Sequence, residues 1–194
     1  MKSFRLSALV FAAAATTFAG SASAAFIDIG FNFVPTGTLS ANTGDVTTAT
    51  TITTGAPLVV TAIIANNVGL TFLQNVSLAP DPLTVGLGTT FTKTFTTALG
   101  TFVENLTVVV STPTANALSV VAAGTIMQTV GTGFDPTPVF YSAAYTQNAG
   151  PGGQINASYN DSTTRPANLV PEPASMALVG VALAGLGLTR RRRS

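Results

Sequence analysis

The chain has 194 residues, 46% of them hydrophobic and only 8% charged, with no Cys and no His, against about 25% charged residues in an ordinary soluble protein. That length suits one domain, and the composition excludes a disulfide framework, a lipid-modified cysteine, thiol catalysis and a Cys- or His-ligated zinc site. Between Ala25 and Val170 only Lys93 and Arg165 oppose Asp28, Asp45, Asp81, Glu104, Asp135 and Asp161, a net charge of about −4; nucleic acid as a partner is excluded with it, because phosphates need clustered Lys and Arg.

The chain opens with the pattern of a secretory signal peptide. Lys2 and Arg5 give the positive start, an apolar run from Leu6 to Phe18 follows, and Ala22-Ser23-Ala24 supplies the small residues of a signal-peptidase site. Cleavage is therefore expected after Ala24 or one residue later, removing residues 1–24 as a signal peptide. The apolar run is too short for a permanent anchor, which needs about 20 residues.

Residues 25–165 read as all-β. In FIDIGFNFV, from Phe26, the side chains of Ile27, Ile29, Phe31 and Phe33 alternate with Asp28, Gly30 and Asn32, the period of a half-buried strand. Further strands are expected in DVTTATTITT from Asp45, LVVTAIIA from Leu58, LTFLQNVSL from Leu70, TTFTKTFTT from Thr89 and TFVENLTVVV from Thr101. ALSVVAAGTIMQTV from Ala117, PVFYSAAYTQ from Pro138 and GQINASYN from Gly153 complete the set. Turn residues punctuate these runs, as in Asn42-Thr43-Gly44-Asp45 and Gly150-Pro151-Gly152-Gly153. About nine short strands with such spacing predict a single antiparallel β-sandwich domain.

Threonine makes up about a fifth of this region, which suits outward strand positions: its branched carbon fits the pleat while its hydroxyl meets water. TTFTKTFTT places Phe91 and Phe95 on one face with Lys93 between them, and Thr90, Thr92, Thr94 and Thr96 on the other. A lysine in that row is expected to guard a sheet edge against association. The Thr-x-Thr pairs do not recur at a solenoid period, which argues against a flat ice-binding array.

No catalytic, cofactor-binding or metal site is expected. A glycosidase needs two facing carboxylates, and the acids are spread one to a segment. Asp81-Pro82 and Asp135-Pro136 read as turn starters. Asn156, Asn160 and Asp161 could offer oxygens to calcium but lack an Asp-x-Asp pattern. Tyr141, Tyr145 and Tyr159 could line a sugar-stacking platform or be ordinary strand residues.

After a linker expected from residue 166, the chain finishes VPEPASMALVGVALAGLGLTRRRRS, from Val170. Residues 174–189 carry no charge; as a helix they would cover about 24 Å, short of a hydrocarbon core of about 30 Å. Their six Leu and Val residues favour insertion by only about 2 to 4 kcal/mol in sum. A transient transmembrane anchor in the inner membrane is expected, with Arg190, Arg191, Arg192 and Arg193 held in the cytoplasm by the positive-inside rule. Pro171 and Pro173 keep Val170-Pro171-Glu172-Pro173 extended and accessible ahead of the helix.

This order of tripeptide, apolar helix, arginine cluster and chain end resembles the PEP-CTERM sorting signal of Gram-negative bacteria, a segment also known as an ice-binding protein C-terminal domain. The resemblance covers residues 170–194 and implies recognition of Pro171-Glu172-Pro173 by a membrane-embedded exosortase. It further implies removal of the helix and arginines, and delivery to the cell surface or an extracellular polysaccharide matrix. The expected function is therefore a non-enzymatic structural or adhesive surface protein, as in a biofilm. The alternative is a carbohydrate-binding module for exopolysaccharide.

Overall fold

The computed structural model describes residues 24–164, all of it strands, turns and loops. In chain order the strands are β1 (Ala25–Phe26), β2 (Ile29–Pro35), β3 (Ser40–Ala41), β4 (Thr51–Thr53), β5 (Leu58–Asn66), β6 (Asn75–Ala79) and β7 (Leu83–Thr84). They continue with β8 (Thr90–Thr97), β9 (Gly100–Thr114), β10 (Ala117–Val130), β11 (Phe134–Asp135), β12 (Thr137–Gln147) and β13 (Ile155–Thr163). Eight of them, β2, β5, β6, β8, β9, β10, β12 and β13, form one closed antiparallel barrel in which each strand pairs with its predecessor and successor along the chain. The ring closes where β13 returns to β2, with Tyr159 opposite Phe33 and Ser162 opposite Gly30.

The expected β-sandwich is thus corrected to an up-and-down barrel. Both architectures bury one face of every strand with period two, so alternation cannot separate them. What distinguishes them here is one unbroken ladder, curved by register shifts between β9 and β10, at Val121/Ala122 and Gln128/Val130, and between β2 and β5, at Gly30/Phe31 and Asn32/Phe33. Bulges of this kind bend a strand and increase its twist, as closure requires.

Most expected strands form, and inward parity follows the sequence. Ile27, Ile29, Phe31 and Phe33 are buried, as are Phe91 and Phe95, while Thr90 and Thr96 are exposed. Two runs contribute less strand than expected, for local reasons. In DVTTATTITT only Thr51–Thr53 pairs, because Asp45 Oδ1 accepts from both the backbone N–H and the hydroxyl of Thr47, each at 2.8 Å, and so holds a turn. In LTFLQNVSL the strand begins at Asn75, because the Asn66 side chain bonds both the N–H and the carbonyl of Leu70 and Leu73 takes φ 61°.

The short strands form two small sheets. β3, β4 and β7 make a three-stranded sheet whose Ile52 and Leu83 join the barrel core. The loop after β3 is tied to β12 by Gln147, whose Oε1 accepts from Val46 N–H at 3.0 Å and whose Nε2 donates to Gly44 O at 2.8 Å. β1 and β11 pair in parallel.

Gly124 on β10 lies opposite Leu106, where a Cβ would stand 1.8 Å from the Asn105 carbonyl oxygen. Gly124→Ala must therefore push β9 away from β10, with the cost of overpacking, about 1 to 3 kcal/mol or more. Urea unfolding of the variant should show a lower midpoint at unchanged slope; an unchanged midpoint would mean that the two strands separate freely at this point.

Among the described residues no helix is long and apolar enough to cross a membrane. The barrel turns most of its aromatic and aliphatic side chains inward, while its outer face carries threonines together with exposed Ile64, Val110 and Phe140. The expected signal peptide up to Ser23, the linker, Val170-Pro171-Glu172-Pro173, the expected helix over 174–189 and the terminal arginines lie outside the described residues.

Candidate functional site

The barrel interior is the most unusual place in this charge-poor chain. Aromatic rings from several walls fill it: Phe33 stacks on Tyr159 with centroids 4.9 Å apart, and Phe95 on Phe102 at 5.4 Å. Phe91 meets Tyr141 edge-on at 5.1 Å. Into this apolar packing project three charged side chains, Lys93, Glu104 and Asp161, each 0% exposed.

Each arrives there by strand parity. Lys93 stands between the inward Phe91 and Phe95 on β8, Glu104 between the inward Phe102 and Leu106 on β9, and Asp161 two residues after the inward Tyr159 on β13. Lys93 and Glu104 are direct cross-strand partners, and Lys93 Nζ lies 2.8 Å from Glu104 Oε1. Asp161 comes from the far side: β13 and β8 are four places apart in either direction around the eight-stranded ring. Its Oδ2 is nevertheless in direct contact with Lys93 Nζ, so the lysine is gripped between a neighbour and the opposite wall.

Apart from one another, the charged atoms of this cluster have no hydrogen-bond partner among the described residues. Around the ammonium lie the rings of Phe31, Phe33 and Phe95, with centroids 4.5, 5.3 and 5.9 Å from Nζ. Burial pulls the Lys93 ammonium down to about 8 against the opposing pull of Glu104, and pushes the Glu104 carboxyl up against that of Lys93. Burial likewise raises the phenols of Tyr141, Tyr145 and Tyr159, so all three stay neutral.

Several expectations are overturned here. Lys93 guards no edge, because a closed barrel has none; the aromatic row faces the lumen and carries the lysine inward with it. Tyr141, Tyr145 and Tyr159 are at most 1% exposed, so they form part of the core and present no sugar-stacking platform. Asn156, Asn160 and Asp161 do not gather: Asn156 is exposed, Asn160 donates to Asn32 Oδ1 at 2.6 Å, and Asp161 points to the other face. Glu104 and Asp161, read as isolated acids, are the pair that folding brings together around one lysine. Sealed from solvent, they offer no cleft for a glycoside. Asp81 accepts from Thr54 N–H at 2.9 Å in its loop, and Asp135 lies half-buried on β11.

No curated protein and no solved structure matches the chain. A family model does match at the C-terminus, over residues 169–193, and it describes the PEP-CTERM protein-sorting motif. That motif is associated with export and exosortase processing. The charged lumen and the tail are therefore separate features, and it is the tail that classifies the protein: the chain carries a PEP-CTERM protein-sorting motif at residues 169–193.

Proposed function

We propose that this is an exported protein of a Gram-negative envelope, released from a transient inner-membrane anchor by an exosortase and delivered to the cell surface or extracellular matrix. There its β-barrel serves as a structural or adhesive element rather than an enzyme. The observation that carries the reading is the match to the sorting motif over residues 169–193. The barrel is compatible with such a role, since its lumen is packed with its own side chains and its threonine-rich wall faces outward. Exopolysaccharide binding loses its main argument with the burial of the three tyrosines.

The intact mass of the protein recovered from the producing culture tests this directly. Loss of the first 24 residues and of the apolar tail with its arginines is the expected result. Replacing Pro171, Glu172 and Pro173 together by alanine should leave the chain in the inner membrane with residues 190–193 attached. Surface molecules of the variant that are trimmed like the wild type would show that the tripeptide is not what the processing enzyme reads.

A further inference from the structure

We propose that Lys93 and Asp161 condense inside the barrel to an intramolecular isopeptide bond, with Glu104 as the proton carrier, so that opposite walls of the barrel are covalently joined. The arrangement supplies each part that amide formation needs. A lysine nitrogen is held against a carboxyl group, a second carboxyl stands 2.8 Å from the same nitrogen, and all three side chains are excluded from solvent. Three rings within 6 Å of Nζ keep the surroundings apolar.

The ionic alternative is costly: it keeps an ammonium and at least one carboxylate in an apolar lumen with no further partner among the described residues. Condensation removes one positive and one negative charge together and leaves a neutral amide, with Glu104 the one ionisable group left of the three. Burial pulls Lys93 down and pushes Glu104 up, toward the uncharged amine and carboxylic acid from which the step starts.

The step is balanced without any oxidant or co-reactant. Lys93 Nζ, as the free amine, attacks Asp161 Cγ, and the new Nζ–Cγ bond forms. Glu104, holding the proton that the ammonium gave up, passes it to the departing Asp161 oxygen and then carries a second proton from the nitrogen to the same oxygen; the Cγ–O bond breaks and one water leaves. Overall an ammonium and a carboxylate become an amide and a water, and Glu104 ends as it began. In dilute solution such a condensation is slow and reversible, but fixing both groups in contact gives effective concentrations on the order of 10⁵ M or more.

The location gives the bond a use. β13 is the last barrel strand, closes the ring on β2 through only a short register, and leads directly into the segment that ends in the sorting motif. A pull on the residues that follow β13 would enter the barrel at that strand, and a link from Asp161 to β8 would carry it across the lumen before β13 can peel away. A chain without cysteine would thereby gain a cross-link that does not depend on redox conditions. The proposal is independent of the sorting reading, because its readout is internal to the barrel.

The test uses the protein as recovered from the producing cells, shown to unfold cooperatively, then denatured and digested with trypsin. Arg165 precedes Pro166, which trypsin cuts poorly, so the one ready site in the barrel domain is after Lys93. The wild type is expected to resist cleavage there, and its fragment spanning residues 93 and 161 should be lighter than the sequence mass by one water. Lys93→Arg cannot form the amide and should be cut at this position at full mass. Glu104→Gln should lose most of the cross-link. Wild-type protein cleaved after Lys93 with no missing water overturns the proposal, as does resistance that persists in Lys93→Arg; cross-linking at the wild-type level in Glu104→Gln overturns the role of Glu104. Should either variant fail to fold, the wild-type mass decides alone.

Discussion

Replacing Lys93 by methionine should be among the most damaging single changes in the barrel, lowering stability by about 3 to 5 kcal/mol. Methionine fits the volume of the lysine stem but removes the one group that answers Glu104 and Asp161, as counter-ion or as amide partner, in a cluster where both acids are 0% exposed. The two carboxyls then face one another in an apolar lumen, and at least one must stay protonated or draw water inward. Removing one partner of a buried ionic group costs far more than removing the whole group, since the remaining charge is left desolvated. The triple variant Lys93→Met, Glu104→Leu and Asp161→Leu should accordingly recover a substantial part of the loss. Urea unfolding of wild type, single and triple variants checks this. A single variant within about 1 kcal/mol of wild type would show that the cluster does not act as one unit.

Phe33→Ala should be comparably severe, for a different reason. Its ring is fully buried, stacked on Tyr159 at 4.9 Å and packed 5.6 Å from Phe31 and 6.3 Å from Tyr141, at the seam where β2 meets β13. Truncation opens a cavity bounded by strands that cannot collapse inward without breaking the ring, and such changes cost about 3 to 5 kcal/mol. Phe140, 47% exposed on the outer face of β12, is the internal control. Its truncation should fall within about 0.5 kcal/mol of wild type. Equal losses at the two positions in thermal or urea unfolding would contradict the inward and outward assignment of these rings.

Both results bear on how the protein is used. A barrel whose lumen is packed with aromatic rings is compatible with the structural role proposed for it.

The amino-acid sequence by itself determined the all-β class and the sorting motif. Alternation in FIDIGFNFV and TTFTKTFTT assigned inward faces to Phe31, Phe33, Phe91 and Phe95, and all four are buried, because strand parity is a local property of an extended backbone. The tail was legible for a similar reason: the PEP-CTERM sorting motif at residues 169–193 is a linear string of residues. Where strands stop short, as before Thr51 and before Asn75, side-chain bonds from Asp45 and Asn66 competed with the ladder. Those partners lie within a few residues, but no periodicity reports them.

Closure into a ring was decided only by tertiary structure, since period two is common to sandwich and barrel. So was the meeting of Lys93, Glu104 and Asp161. Parity alone could place each charge inward, and a charge at an inward position of a strand so poor in charges was the available signal. That Asp161 reaches Lys93 from the opposite wall depends on the curvature of the whole sheet, a non-local quantity summed over eight strands. The lumen is narrow enough for side chains from facing walls to touch, and it is this dimension, written in no single segment, that turns two distant residues into neighbours.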